Sequence, residues 1–123
     1  MYHMKTHDLN KLNQKVWVTE ALKKFSDEEY YIKGINGLIE ACGFRSIEHI
    51  SREMKKSINR TPSQLVNEKR LTYAALRLEK SNDKIIDISY DAGYNSLSYF
   101  NRLFKNEYGV SPMQYRKKVR KNG

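Results

Sequence analysis

The chain has 123 residues, 39% hydrophobic and 30% charged, a length and balance that fit one or two small helical cores and exclude a disordered chain. Lysine and arginine number 23 against 14 acidic residues, a formal +9, which favours a polyanionic partner (DNA, RNA or an anionic membrane surface) over a merely solvated basic surface. No apolar run approaches the roughly 20 residues that span a bilayer, the opening MYHMKTHDLNKLNQK lacks the apolar centre of a signal peptide, and a lone Cys42 makes neither an internal disulfide nor a cysteine-rich zinc site, so a cytoplasmic chain is expected.

Residues 1–15 are polar and without periodicity, and read as a flexible lead-in or linker remnant. From Val16 the pattern turns helical, with Val18, Leu22 and Phe25 on one face and Trp17 and Ala21 beside them. Ser26 and Glu29 have capping-box spacing for a second helix, whose Tyr31, Ile35, Leu38 and Cys42 recur at helical intervals up to a stop at Gly43. Gly34 and Gly37 inside that helix each cost roughly 1 kcal/mol relative to alanine, which makes it the least stable of the predicted helices. Ser46 caps a third helix with the stripe Ile47, Ile50, Met54 and Ile58. Thr61-Pro62 reads as N-cap and first helical residue of a long helix running from Pro62 to about Lys80. Asn82 or Asp83 then caps a short helix holding Ile85, Ile88 and Ala92, stopped by Gly93. Ser96 caps the next, with Leu97, Phe100, Phe104 and Tyr108 on one face and Gly109 at its end. Ser111-Pro112 opens a last helix carrying Tyr115 and Val119. Nothing alternates as a strand. The expected fold is all-α, with about seven helices.

Shifted by 50 positions, GFRSIEHISREMKKSINRTPSQL lies over GYNSLSYFNRLFKNEYGVSPMQY without a gap. Gly43 meets Gly93, Ser46 meets Ser96, Arg52 meets Arg102, Lys55 meets Lys105, Pro62 meets Pro112 and Gln64 meets Gln114. The expected core positions match in kind: Phe44 with Tyr94, Ile47 with Leu97, Ile50 with Phe100, Met54 with Phe104, Ile58 with Tyr108. Helix stops, caps and core recurring together indicate an internal duplication. Each copy reads helix, glycine-stopped turn, capped helix, which is a helix-turn-helix arrangement. The organisation expected is a lead-in over 1–15, a first helix-turn-helix subdomain over 16–60, a connecting helix over 61–80 and a second subdomain over 81–121.

An αα-hairpin used only for packing has the same outline, and the outward face of the second helix separates the two readings. That face offers Arg45, Ser46, Glu48, His49, Ser51, Arg52 and Lys55 in the first copy, and Asn95, Ser96, Ser98, Tyr99, Asn101, Arg102 and Lys105 in the second. These side chains are short and polar or cationic: arginine can bind guanine in a bidentate way, asparagine adenine, and serine several base edges or phosphates. A merely solvated helix carries more interspersed glutamate and lysine. A connecting helix from Pro62 to Lys80 would be about 28 Å long at 1.5 Å per residue, near the roughly 34 Å between successive major-groove faces. One chain would then reach two adjacent grooves without a homodimer.

The second copy, IIDISYDAGYNSLSYFNRLFKNEYGVSPMQYRK, resembles the signature of the AraC/XylS family of transcriptional regulators, and NEKRLTYAALRLEKS with the first copy resembles the preceding half of the same domain. The resemblance covers about residues 15–120. It implies two helix-turn-helix subdomains joined by a long helix, with the second helix of each in the major groove of double-stranded DNA. Carried over residue by residue, the base-reading candidates are Glu48, His49, Ser51 and Arg52 in the first copy and Ser98, Tyr99, Asn101 and Arg102 in the second. Arg45, Ser46, Lys55, Asn95, Ser96 and Lys105 are the phosphate candidates, and the caps Ser46, Ser96, Thr61 and Ser111 are equally candidates for a structural role. The resemblance further implies a regulator that activates transcription, RNA polymerase as a second candidate partner, binding as a monomeric module, and any dimerisation through a separate domain. The departures lie in the first copy. Asn59 stands where the family has glycine, Met54 where it has phenylalanine, and Glu48 puts a negative charge on the reading face. The two copies are therefore expected to contribute unequally.

No catalytic constellation, cofactor loop or metal-ligand spacing stands out; His3, His7 and His49 read as surface histidines, and one cysteine excludes the zinc-dependent DNA-repair branch that resembles this family. The alternative to DNA reading is a helical module that contacts polymerase or a partner regulator without specific DNA binding of its own. RNA binding is a third reading, without stacking strands to carry it. The tail RKKVRKNG is either a phosphate-contacting arm or a solvated end.

Overall fold

The computed structural model describes the backbone of residues 6–121 and the side chains of residues 16–121. The described residues are all-helical and contain no strand: α1 (Thr6–Phe25), α2 (Glu28–Tyr31), α3 (Ile35–Ala41), α4 (Ile47–Ile58), α5 (Pro62–Lys80), α6 (Ile85–Asp91), α7 (Leu97–Tyr108) and α8 (Pro112–Lys121). Helix α1 begins at Thr6, well before the apolar periodicity does at Val16, so residues 6–15 of the expected lead-in are helical. Residues 1–5 of that lead-in, with His3, and the side chain of His7 lie outside the described residues.

Among the described residues eight helices stand where about seven were expected, because the second predicted helix is two. Gly34 interrupts it at φ 66°, ψ −134°, a conformation that side-chain-bearing residues avoid. Gly37 then admits the end of α2, since a Cβ there would lie 1.7 Å from the Tyr30 carbonyl oxygen. The glycines that a continuous helix would merely tolerate are what let α2 and α3 meet. The cap differs as well. Asp27, not Ser26, is the N-cap of α2 and accepts the Glu29 N–H at 3.0 Å, while the Ser26 hydroxyl donates to the Leu22 carbonyl at 3.0 Å.

The chain divides into two units, Met1–Val66 and Asn67–Gly123. In the first, Val18, Ala21, Phe25, Leu38, Ala41, Cys42, Ile50 and Met54 close a core with Leu65 and Val66 from the start of α5. In the second, Leu71, Ala74, Ala75 and Leu78 from the rest of α5 pack with Ile88, Ala92, Tyr94, Phe100 and Phe104. Phe100 and Phe104 are fully buried, with ring centroids 5.7 Å apart, each stabilising the unit by about 1.5–3 kcal/mol. They hold α7 in place by its inward face and leave its outward face to solvent.

Asn82 and Asp83 do not cap α6. Its N-cap is Lys84, without a side-chain bond. Asp83 instead accepts from Arg77 at 2.6 Å and Asn82 from Arg120 at 2.7 Å. A hydrogen bond to a charged donor is roughly twice as strong as one to a neutral backbone N–H, so the arginines win. Arg77 holds the Asp83 carboxyl below its ordinary range. Residues 116–121 of the basic tail belong to α8, and its arginines bind protein: Arg116 donates to the carbonyls of Leu78 at 3.1 Å, Ser81 at 3.2 Å and Asp83 at 2.8 Å, and Arg120 also donates to Ser81. The bond to Leu78 satisfies one of the last carbonyls of α5, which lack helical partners, and the others hold the segment that follows it.

Helices α5 and α8 start alike. Gln64 N–H donates to Thr61 Oγ1 at 3.1 Å while Thr61 N–H donates to Gln64 Oε1 at 2.9 Å. Gln114 N–H donates to Ser111 Oγ at 3.2 Å and Ser111 N–H to Gln114 Oε1 at 3.0 Å. These are reciprocal capping boxes. Thr61→Ala and Ser111→Ala are each expected to lower stability by about 1 kcal/mol in urea titrations; an unchanged midpoint in either variant would show that its box adds nothing.

Candidate nucleic-acid interface

The two turns that lead into α4 and α7 close with the same pair of hydrogen bonds. Gly43 N–H donates to the Glu40 carbonyl at 3.0 Å and Phe44 N–H to Ile39 at 2.9 Å; Gly93 N–H donates to Tyr90 at 2.9 Å and Tyr94 N–H to Ser89 at 3.0 Å. This is the Schellman pattern, which satisfies the last carbonyls of α3 and α6. The serine caps follow as the sequence predicts: Ser46 Oγ accepts the His49 N–H at 3.2 Å, and Ser96 Oγ accepts the Tyr99 N–H at 3.2 Å. Both helices end on a left-handed residue, Asn59 at φ 54° and Gly109 at φ 78°, so Asn59 takes the conformation usually given to glycine.

Between bond and cap the two turns diverge. Phe44 follows Gly43 into the left-handed region at φ 62°, and its side chain is 77% exposed. Tyr94 keeps a negative φ, is 3% exposed and donates its hydroxyl to Asn67 Oδ1 at 3.0 Å. The repeat alignment pairs both as core residues; only Tyr94 is one, because two consecutive left-handed residues turn Phe44 outward. Burial pushes the Tyr94 hydroxyl above its ordinary range, which keeps it a donor. Burial likewise pushes the Cys42 thiol up to about 11, against a smaller downward pull from Arg45, so Cys42 is a protonated core residue.

On α4, Glu48 and Arg52 are exposed and His49 and Ser51 half-buried; on α7, Ser98, Tyr99, Asn101 and Arg102 are all exposed. Glu48 stands in the first turn of its helix, where the macrodipole favours a carboxylate by about 0.3–1 kcal/mol, a local reason for an acid on this face. Arg45, Lys55, Asn95 and Lys105 are exposed, and Ser46 and Ser96 are engaged as caps. On α7 the Arg102 guanidinium lies 5.2 Å from the centroid of the Tyr99 ring, and Tyr99 meets Tyr94 edge-on at 6.1 Å. Arg45 is not simply extended into solvent: it lies 4.1 Å over the Trp17 ring and donates to the Cys42 carbonyl at 2.7 Å.

Helices α4 and α7 each border a cleft against the start of the helix that follows. Ser51, Arg52, Lys55, Thr61 and Pro62 line the first cleft, and Asn101, Arg102, Lys105, Ser111 and Pro112 line the second. These are the same five repeat positions. Each cleft therefore combines an arginine, a lysine and the positive end of a helix dipole, a combination that attracts anions. Glu53, 6% exposed, lines the first cleft; the sequence reading assigns it no role. Two further features were overlooked there. The S/T-x-x-Q spacing of Thr61–Gln64 and Ser111–Gln114 is legible as a capping box, whereas nothing local places Trp17 under α4.

Comparison with known proteins agrees with this architecture. The profile of the "Helix-turn-helix domain" family matches residues 44–118. The HTH-type transcriptional activator RhaS of Mannheimia succiniciproducens is 39% identical over 70 residues, 57% of this chain and 26% of that protein. The HTH-type transcriptional regulator MtrA of Neisseria gonorrhoeae is 36% identical over 77 residues, 63% of this chain and 26% of that protein. The chain thus spans about a quarter of the length of these relatives. Among solved structures, the xylose-binding transcription activator xylR superposes with a TM-score of 0.68 at 26% identity, over 82% of this chain and 26% of that one. The C-terminal domain of AraT, a response regulator from Geobacillus stearothermophilus, superposes with a TM-score of 0.64 at 27% identity, over 85% of this chain and 84% of that one. The repeated helix-turn-helix frame, the matched profile and these relatives together show that the chain belongs to the AraC/XylS family of transcriptional regulators.

Proposed function

We propose that the chain binds double-stranded DNA sequence-specifically, with α4 and α7 each entering a major groove, and activates transcription from the site it binds. The observation that carries this is the repetition of one frame: the same pair of turn hydrogen bonds, the same serine cap and the same arginine–lysine cleft at equivalent positions of both units. Glu48, His49, Ser51 and Arg52 read bases from α4, and Ser98, Tyr99, Asn101 and Arg102 from α7. Lys55 and Lys105, with Arg45, Asn95 and the capped helix starts, bind the flanking phosphates. One copy covers an asymmetric site of about two helical turns, acts in the cytoplasm, and recruits RNA polymerase. The activating direction draws its support from the relatives described as activators. Among the described residues, no helix is long and apolar enough to cross a membrane.

Selection from random duplexes is expected to yield a two-part asymmetric site. Anisotropy titrations on that site should lose about a thousandfold in affinity between 50 and 200 mM salt, as roughly six neutralised phosphates require. Failure to enrich any sequence, together with NMR shifts unmoved by duplex, would overturn the proposal and leave a helical protein-interaction module.

A further inference from the structure

Trp17, on α1, carries two side chains of the first interface at once. The His49 imidazole stacks on it with ring centroids 5.6 Å apart and an interplanar angle of 24°, and the Arg45 guanidinium lies 4.1 Å from its centroid. Arg45 is fixed a second time by its bond to the Cys42 carbonyl. In the second unit the equivalent ring comes from elsewhere in the chain. The position matching Trp17 is Asn67, which holds the Tyr94 hydroxyl, and Tyr94 lies edge-on to Tyr99, the residue matching His49. Each unit therefore sets an aromatic ring against the third residue of its reading helix. The first unit takes that ring from α1, where the turn residue Phe44 faces outward.

We infer that Trp17 is the positioning residue of the first reading helix, holding His49 and thereby setting the base preference of this half of the site, while it steadies Arg45 for its phosphate. This rests on the DNA-reading role proposed above. The physical reason is preorganisation: a long side chain frozen only on binding loses rotamer entropy at that moment, whereas one already stacked has lost it on folding. The aromatic face is the active feature, since it attracts a guanidinium through its quadrupole. A residue that only filled volume would have no need of a π face.

The test is random-duplex selection with the wild-type chain, Trp17→Leu and Trp17→Phe, each checked for helicity by circular dichroism. Leucine keeps an apolar side chain and removes the π face. Trp17→Leu is expected to flatten the preference at the base pairs that His49→Ala also affects, with about a tenfold loss on the selected site. Preference at the pairs affected by Arg102→Ala should stay intact, and Trp17→Phe should restore the wild-type pattern. Equal losses on all duplexes with unchanged preference would overturn the inference and leave Trp17 to packing and to the Arg45 phosphate contact. Absence of selection by the wild-type chain would overturn the functional proposal instead. Should the leucine variant not fold, the emission of Trp17, the sole tryptophan, decides: it should change on adding the selected duplex, and less so in His49→Ala. No change in the wild-type chain overturns the inference.

Discussion

Arg102→Ala is expected to weaken binding to the selected site by about 1–3 kcal/mol, roughly five- to 150-fold, and to affect random duplex far less. Arg102 is exposed on α7 and braced against the Tyr99 ring. It is thus presented to a base edge with part of its freedom already removed. Beside it, Lys105 lines the same cleft as a flexible point charge, suited to phosphate and indifferent to base identity. Lys105→Ala should therefore weaken binding to every sequence alike and reduce the slope of log K against log salt by about one. Anisotropy titrations of both variants on selected and scrambled duplexes check this directly. Parallel losses for Arg102→Ala on the two duplexes would remove it from the base readers.

Gly37→Ala is expected to destabilise the first unit by about 2 kcal/mol, although alanine is the better helix former. The propensity gain is about 1 kcal/mol. Against it stands a Cβ placed 1.7 Å from the Tyr30 carbonyl oxygen and 2.7 Å from its carbon. Both atoms are backbone, so no rotamer change relieves the overlap, and forced repacking costs about 1–3 kcal/mol or more. The clash wins. Since the sole tryptophan lies in the first unit, thermal melting followed by its emission should show a lowered midpoint, while Ser98→Ala, on the solvent face of α7, should melt as the wild type does. A midpoint equal to or above that of the wild-type chain would show that α2 and α3 do not meet as described.

Much of the architecture is legible in the sequence because it is encoded locally. Ser46 and Ser96 cap their helices, Asn59 takes the left-handed conformation, and Ile50, Met54, Phe100 and Phe104 are buried as their periodicity predicts. The internal repeat compares whole elements and so does not depend on single boundaries. It places α4 and α7 over equivalent residue spans. The local errors have local causes. Ser26 and Asp27 are adjacent competent caps, and the Leu22 carbonyl draws the Ser26 hydroxyl away. Gly34 and Gly37 look like flaws in one helix until a break and a close approach are both required.

By itself, then, the sequence determined an all-helical duplication, the two capped helices α4 and α7 with their polar and cationic faces, and the family to which the chain belongs. Tertiary structure decided what those side chains rest on. Asn82 and Asp83 leave the start of α6 because Arg120, distant in sequence, and Arg77, on the preceding helix, are stronger donors than a backbone N–H. Phe44 and Tyr94 match in the alignment and part in space, because one extra left-handed residue reverses where the ring points. Trp17 comes to lie against His49 and Arg45 only when α1 packs on α4. Periodicity reports which side of a helix is apolar; it carries no record of which distant ring will meet the other side.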